Sequence, residues 1–383
     1  MKKYAVGLMS GTSLDGVDAA LVEIEGHGKH TRLKLIHFSV EPFTRQQVDK
    51  IKKVISVKQS NVQLVCELNA ELGYIFANAV KKVCFEASFP LDKLDFIASH
   101  GQTVYHSVHH IPKSTLQIGE PAVIAFETNT LVVSNFRTMD IAAGGEGAPL
   151  VPYSEFVLYG HLEGATGLLN LGGIGNITVL SDKESEVFAF DTGPGNMIID
   201  ELMNVLYQKS YDEYGRTAAQ GIVSEELLID MMKNPYFEKP VPKSTGREMF
   251  GIEYTHQLIR DHGLLSKEDL VATATCFTAK SVADAYRRFI KPKVTLKRIV
   301  VGGGGALNPI ILKHLQEHLI DVEILTQEDL GYSSQAKEAI AFAVLGNQTI
   351  HGDYGNVPGA TGASRSVILG NITPKPRKDY DEH

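Results

Sequence analysis

The chain reads as a two-lobed α/β protein in which both lobes carry the same run of elements. Three observations predict this. Its 383 residues exceed what one ordinary core holds and suit two domains of average size. Short apolar runs alternate with segments of helical period. A strand, glycine turn, strand unit occurs twice, about 160 positions apart, each time followed by strand, helix, strand and strand, which is the mark of an internal repeat.

In the first half, Tyr4 to Met9 is a short apolar run that ends in Ser10-Gly11-Thr12-Ser13-Leu14-Asp15-Gly16. Val17 to Glu25 then alternates apolar and polar positions, giving a hairpin. Lys34 to Val40 supplies a third strand. Gln46 to Ile55 and Val62 to Phe85 have helical periods, the second with Val65, Leu68, Leu72, Ile75, Ala79 and Val83 on one stripe. Asp95 to Ala98 is a buried-type strand running into Ser99-His100-Gly101-Gln102, and Leu131 to Ser134 is another, ending at Asn135-Phe136-Arg137.

The second half repeats the order. Leu168 to Leu171 passes through Gly172-Gly173-Ile174-Gly175-Asn176 and leaves through Ile177 to Leu180. Val187 to Phe190 ends in Asp191-Thr192-Gly193-Pro194-Gly195-Asn196, and Met197 to Tyr207 is helical, with Asn196 as its expected cap. After a polar insert around Pro235 to Gly251 come a helix from Leu270 to Phe289, a strand from Arg298 to Val301, the turn Gly302-Gly303-Gly304-Gly305, a strand from Val322 to Leu325 and a helix from Ser334 to Leu345. The glycine- and proline-bearing stretch Asp140 to Gly164 is the expected linker. The domain reading is an N-terminal lobe over 1–140, a C-terminal lobe over 141–352, and a turn-rich segment and tail over 353–383.

Composition narrows the partners. A net charge of −8 without a Lys/Arg cluster disfavours nucleic acid and anionic membranes, which need a concentrated basic face. No run of about 18 apolar residues is present, and Met1-Lys2-Lys3-Tyr4 leads straight into a strand, so a membrane span and a signal peptide are not expected and a cytoplasmic setting is. Cys66, Cys84 and Cys276 lie far apart without CxxC spacing and read as core residues. The expected partner is a small molecule; the oligomeric state stays open, with a homodimer one candidate.

A glycine-rich hairpin lets backbone N–H groups approach a phosphate closely, and Ser and Thr hydroxyls add donors. One such turn is weak evidence, because Asp15-Gly16 can simply make a tight turn. Two in matched positions of two lobes are stronger, and Gly303, Gly304 and Gly305 offer a third loop, suited to the base and ribose of a nucleotide. No GxxxxGK[ST] segment occurs. Asp191, at the expected carboxyl end of a strand and before a glycine turn, is the candidate catalytic carboxylate. Asp15 and Asp18 are candidates for holding Mg²⁺ through water, with turn formation and solvated charge an equal alternative. His100, Gln102, Arg137 and Asp140, all at or after strand ends, suggest a sugar pocket. Glu338, one charge in a mostly apolar helix, is a further candidate.

Taken together, GLMSGTSLDGVDAALVEI, ASHGQTVYH, NFRTMDIAAGGEGAPLVP, LNLGGIGNITVL, FAFDTGPGNMIID, KSTGREMFG and VVGGGGALNP resemble, in order, the motif series of the anhydro-N-acetylmuramic acid kinases. The resemblance runs from Gly7 to about Leu345. It implies two lobes of duplicated actin-like, ribonuclease H-like fold around an interdomain nucleotide cleft. It also implies ATP and Mg²⁺ as cofactors and 1,6-anhydro-N-acetylmuramic acid as the substrate, a cytoplasmic product of peptidoglycan recycling. The expected enzyme is a phosphotransferase with an alcohol acceptor: water opens the anhydro ring, O6 takes the γ-phosphoryl group, and N-acetylmuramic acid 6-phosphate and ADP leave. By the same resemblance Gly11, Thr12, Ser13, Leu14, Asp15, Gly16, Val17 and Asp18 form the ATP-phosphate loop, joined by Gly172, Gly173, Gly175 and Asn176, and Asp191 is the general base.

Three rivals stand beside this reading. An assembly or chaperone-like ATPase would use the same cleft but predicts a partner domain that the sequence lacks. A glycoside hydrolase needs two carboxylates flanking the bond and leaves the glycine turns unexplained. An ordinary hexose kinase differs only in its acceptor.

Overall fold

In a computed structural model of the chain, the structure describes residues 2–11, 13–108, 110–160, 162–180 and 187–376. Two compact units emerge: Met1–His161 with Gly331–His383, and Leu162–Leu330. The divisions fall at 161/162 and 330/331, where the sequence alone places them at 140/141 and 352/353. The expected linker is largely folded, since it contains a helix with buried Tyr153, Val157 and Leu158.

The first unit contains β1 (Lys2–Ser10), β2 (Gly16–Glu25), β3 (Arg32–Pro42), α1 (Arg45–Ile55), α2 (Val62–Glu86), β4 (Phe96–Ser107), β5 (Ser114–Ile118), α3 (Pro121–Thr128), β6 (Leu131–Ser134), α4 (Thr138–Ala142) and α5 (Val151–Tyr159). The second contains β7 (Thr166–Leu171), β8 (Ile174–Leu180), β9 (Phe188–Pro194), α6 (Met197–Tyr207), α7 (Glu225–Met231), α8 (Arg247–Phe250), α9 (Ile252–Asp261), α10 (Lys267–Ala285), β10 (Arg298–Gly302), α11 (Pro309–His318) and β11 (Glu323–Thr326). The chain then returns to the first unit with α12 (Lys337–His351), α13 (Pro358–Thr361) and β12 (Asn371–Thr373).

The first unit's sheet runs β12-β6-β4-β1-β2-β3, with β5 paired to the far half of β4. The second unit's sheet runs β11-β10-β7-β8-β9. In each, an antiparallel trio carries two parallel strands on the side of its first strand: β3-β2-β1-β4-β6 in one, β9-β8-β7-β10-β11 in the other. The duplication expected from element order is therefore present in strand order as well.

Strand periodicity sorts the first unit's side chains to two faces. Val6, Leu8, Ile97 and Val132 join Leu72, Phe76 and Val80 of α2 in one core. On the other face α12 lies close against β1, and a methyl group on Gly7 would run into the Ala339 carbonyl. Helix ends are fixed locally: Thr44 and Gln47 form a capping box on α1, and Asn61 accepts from Leu64 N at the start of α2.

The second unit's core is built on α10 with Tyr236, Phe237 and Phe250. This corrects the expectation of a polar insert over Pro235 to Gly251: all three rings are buried, packed edge-on with Phe277 or each other. The segment after Gly352 likewise holds a strand, β12, paired antiparallel with β6. Residues 377–383 of the expected tail lie outside the described residues.

Candidate functional site

In the first unit the β1–β2 turn is braced from below. Ser10 Oγ donates to Gln102 Oε1 at 2.6 Å, and Gln102 Nε2 donates to the Gly11 carbonyl at 3.4 Å. The turn is held from the side by Phe43 N, which donates to the Asp15 carbonyl at 3.1 Å. Leu14 takes a left-handed φ of 59° while burying its side chain in the α2-side core. Gly11 and Ser13 stay at the surface of the turn; Thr12, a predicted phosphate contact, lies outside the described residues.

Asp18, half-buried on β2, has its carboxyl pushed up to about 6, first by burial and then by the charges of Glu338 and Asp15. Glu338, in the first turn of α12, also acts on Arg137, whose guanidinium is lowered by burial and supported by that carboxylate. Asp15, Asp18, Glu338 and Arg137 are thus electrostatic neighbours within one unit. Among the described residues no group of three or more His, Cys, Asp and Glu could hold a metal by itself. Mg²⁺ keeps most of its waters and takes one or two carboxylates beside substrate phosphates, and a cation would offset both the burial that chiefly raises Asp18 and the repulsion from Glu338 and Asp15 that adds to it. The residues fit Mg²⁺ on those terms.

His100 does not end a strand. β4 continues through it to Ser107, with a bulge opposite Leu8 and Ser10. Its ring is buried against Phe342. Arg137 Nε donates to His100 Nε2 at 2.9 Å, so Nε2 is the acceptor and Nδ1–H donates to the Gly101 carbonyl at 2.7 Å. Burial, with Arg137 adding to it, holds the imidazole neutral, its pKa down to about 3. Arg137 Nη1 donates to the Gly147 carbonyl at 2.7 Å. Asp140 is fully buried: Oδ2 accepts from Gly147 N, and Oδ1 accepts from Asn356 Nδ2 and Thr361 Oγ1, each at 2.7 Å. Of the five sugar candidates, His100, Gln102 and Asp140 have their polar groups engaged inside the unit. Arg137 Nη2 and the Glu338 carboxylate are without partners among the described residues.

In the second unit three glycine loops converge. Asn196 N donates to the Gly172 carbonyl at 2.7 Å, and Gly195 N and Met197 N donate to the Gly173 carbonyl. Asn196 heads α6 but makes no side-chain cap; its Nδ2 donates instead to the Leu171 carbonyl at 3.2 Å. Gly303, at φ 79°, and Gly305 press on the same strand end: a methyl on either would overlap Leu171. Beside them opens a cavity of about 370 Å³ lined by Asn196, Asp200, Tyr211, Tyr214, Gly304 and Asn308. Burial alone raises the Asp200 carboxyl to about 6.

Asp191 lies within β9, which runs on to Pro194, rather than at its end. It is register neighbour to Asn176. Its backbone is clamped on both sides: Asp191 N donates to the Lys243 carbonyl at 3.0 Å, and Tyr236 OH donates to the Asp191 carbonyl at 2.6 Å. Its carboxylate Oδ2 accepts from Thr245 N at 2.9 Å. Burial raises the carboxyl above its ordinary value, and the Thr245 N–H opposes that. A half-buried carboxylate with one oxygen held and the other unassigned is suited to take a proton.

A model of the anhydro-N-acetylmuramic acid kinase family matches residues 3–375. This chain belongs to that family. An anhydro-N-acetylmuramic acid kinase of Clostridioides difficile (strain 630) is 53% identical over 378 residues, covering 97% of this chain and 99% of the relative. One of Bacillus cereus (strain G9842) is 54% identical over 380 residues, covering 97% and 100%. A solved structure, component A of the Acidaminococcus fermentans (R)-2-hydroxyglutaryl-CoA dehydratase, aligns over 90% of this chain and 99% of its own at 13% identity, with a TM-score of 0.46.

For this anhydro-N-acetylmuramic acid kinase family member, sequence reasoning assigned no role to Tyr236, Lys243 and Thr245, although KSTGREMFG carried part of the resemblance. Lys243 sits between the Tyr236 and Phe289 rings, 4.5 Å from each centroid, and donates to the Tyr236 and Phe237 carbonyls. Burial lowers its ammonium to about 8. Asp200, Tyr211 and Tyr214 were also missed. The available signal was the four-residue step from Asn196 to Asp200, which puts both on one helix face.

Proposed function

We propose that this member of the anhydro-N-acetylmuramic acid kinase family phosphorylates 1,6-anhydro-N-acetylmuramic acid with ATP while opening its internal ring. Family membership supplies the substrate, and Asp191 is the observation that carries the mechanism. Asp191 takes a proton from water; the water oxygen bonds to the anomeric carbon; the bond from that carbon to O6 breaks; and O6 bonds to the γ-phosphorus as ADP leaves. The products are N-acetylmuramic acid 6-phosphate and ADP, and the role is in peptidoglycan recycling.

Thr245 N and Tyr236 OH hold Asp191 in place, which matters because a base must sit within hydrogen-bond reach of its proton. We assign Arg137 Nη2 and Glu338 to the sugar, with His100, Gln102 and Asp140 positioning Arg137 and the phosphate turn. The turn from Gly11 to Asp18 and Gly172, Gly173, Gly175 and Asn176 would hold phosphates through backbone N–H groups. Gly303 to Gly305, Asp200, Tyr211 and Tyr214 would take adenosine, the carboxylate on ribose hydroxyls and the rings on the base. Asp15 and Asp18 would hold Mg²⁺ through water, which neutralises β- and γ-phosphate charge when bound. Among the described residues no helix is long and apolar enough to cross a membrane, and the need for ATP makes the cytoplasm the proposed setting.

The test is ADP release over a panel of anhydro and ordinary amino sugars, with the product's phosphate position read by NMR. ADP should appear only with the anhydro sugar. Asp191→Asn should lower turnover by about 10²–10⁴, the range of a general base, and leave ATP affinity unchanged. Strong sugar-independent ATP hydrolysis, or near-native turnover of the variant, would overturn the reading.

A further inference from the structure

The side chain of Lys243 takes no part in the reaction as proposed, yet its surroundings are unusual for a lysine. It is buried, and it lies between the Tyr236 and Phe289 rings, 4.5 Å from each centroid. Among the described residues it forms no ion pair; the charges that act on it come from Asp284, Arg288 and Lys239. Asp284 is itself paired with Arg288 at 2.9 Å, and the two cations oppose the ammonium. Burying a cation with so little counter-charge is unfavourable, and an apolar side chain of the same length would fit the slot between two rings more easily. Burial lowers Lys243 to about 8, so at neutral pH it still carries its proton. The ammonium is therefore kept for something it holds.

What it holds follows from the local sequence. Pro235, Pro240 and Pro242 have no N–H, so this segment is short of backbone donors for its own carbonyls. Lys239 N reaches the Tyr236 carbonyl at 3.2 Å. Lys243 Nζ supplies the rest, donating to the Tyr236 and Phe237 carbonyls at 3.2 Å each. Those two bonds tie residue 243 back to residues 236 and 237 and close the segment into a loop. Both ends of the loop grip Asp191. At one end Tyr236 OH donates to the Asp191 carbonyl at 2.6 Å. At the other the Lys243 carbonyl accepts from Asp191 N at 3.0 Å, and Thr245 N donates to Asp191 Oδ2 at 2.9 Å. Because β9 is the outermost strand of its sheet, no further strand supports Asp191 on that side, and the loop does so instead. Asp191 is not among the charges that act on Lys243, and Lys243 is not among the causes that shift Asp191. The lysine thus acts on the carboxylate through the chain and not through its field.

We propose that Lys243 is the positioning residue of the general base: its ammonium closes the loop whose two ends fix the Asp191 carboxylate. The reaction it serves rests on the kinase reading, the geometry does not, and two readouts keep them apart. In the full-length protein carrying carbon-13 at the aspartate carboxyls, the Asp191 signal, assigned with Asp191→Asn, is titrated by NMR. The Thr245 N–H lowers that carboxyl against burial, so in Lys243→Met, with Thr245 no longer held, the Asp191 pKa should rise. The second readout is ADP release. In Lys243→Met, kcat for the anhydro sugar should fall about 10- to 100-fold, the loss that goes with misplacing a reacting group by about 1 Å, while sugar KM and ATP affinity are kept. The acid limb of kcat should move to higher pH with Asp191. Methionine is unbranched and packs well on aromatic rings, so the variant should melt close to the parent. Lys243→Gln retains one donor group and should lie between parent and Lys243→Met; it carries the same two readouts if the methionine variant does not fold. Tyr236→Phe removes the other grip, and combined with Lys243→Met it should lose no more than the larger single loss, because both changes act on one carboxylate. An unmoved Asp191 titration, a parent-like kcat, equal losses in kcat and both affinities, or additive losses in the double variant would each overturn the proposal. A shifted Asp191 titration in the variant, with no sugar-dependent ADP from the parent, would uphold the positioning and sink the kinase reading instead.

Discussion

Asp140→Asn tests whether a residue that sequence suggests for sugar contact serves the fold. The carboxylate is completely buried and receives three donors, Gly147 N on one oxygen and Asn356 Nδ2 and Thr361 Oγ1 on the other. An asparagine has one acceptor oxygen and one NH₂ group. Whichever way the amide is turned, its NH₂ meets at least one donor already pointing at it. The loss combines a charge-assisted hydrogen bond with an unsatisfied buried N–H or NH₂, about 2–4 kcal/mol in all. At roughly 2–4 °C per kcal/mol for a unit of this size, the first unit should melt about 5–15 °C lower. Differential scanning calorimetry reads this directly, and the second unit's transition should stay where it was. Because Gly147 also accepts from Arg137, sugar KM should rise as a secondary effect and recover partly on cooling. A variant melting within about 2 °C of the parent, with sugar KM raised tenfold or more, would refute the argument and return Asp140 to the sugar.

Two further outcomes follow from the site. Asp18 titrates near 6; below that it is protonated and neutral, so kcat/KM for ATP at fixed Mg²⁺ should climb as pH rises through about 6 and level off above about 7. Asp18→Asn should lower the plateau, and a flat profile between about pH 5 and 7 would remove Asp18 from the metal site. Gly305→Ala places a methyl into Leu171, whereas the nearest atom to a methyl on Gly304 is the Asn196 amide at 3.4 Å. With overpacking worth about 1–3 kcal/mol, Gly305→Ala should raise the ATP dissociation constant by roughly 5- to 150-fold if that strain falls on the bound state, measured by isothermal titration, and Gly304→Ala should do much less. The reverse order would mean that the loop's contact with Leu171 does not shape the nucleotide site.

The order of elements in both units was legible because short strands flank a glycine turn and that pattern comes twice; β5 and β12 were not read. What sequence pattern missed has physical causes. Gly193 and Pro194 look like a break after Asp191, yet both fit at the end of an edge strand, so β9 runs past the carboxylate. Tyr236, Phe237 and Phe250 sit among prolines and lysines with no period to betray their burial. His100, Gln102 and Asp140 were recognisable as unusual polar residues in apolar surroundings, but their partners arrive from distant positions. Asn356 is 216 residues from the carboxylate it serves, and local reading has no access to it. The same holds for α12, which follows the second unit in the chain and packs in the first.

That return of the chain bears on how the protein is made. The second unit is one uninterrupted stretch, so every strand of its sheet is available once Leu330 has been synthesised. The first unit, whose elements from β1 to α5 come earlier in the chain, must wait through all of it. Until α12 and β12 emerge, β1 lacks its cover, the outer edge of β6 is unpaired, and the Asp140 carboxylate has neither Asn356 nor Thr361. Vectorial synthesis thus leaves the earlier half unfinished until last, with an open sheet edge of the kind that recruits other strands. A nascent chain stopped anywhere between 331 and 355 is the state on which a chaperone would have most to do.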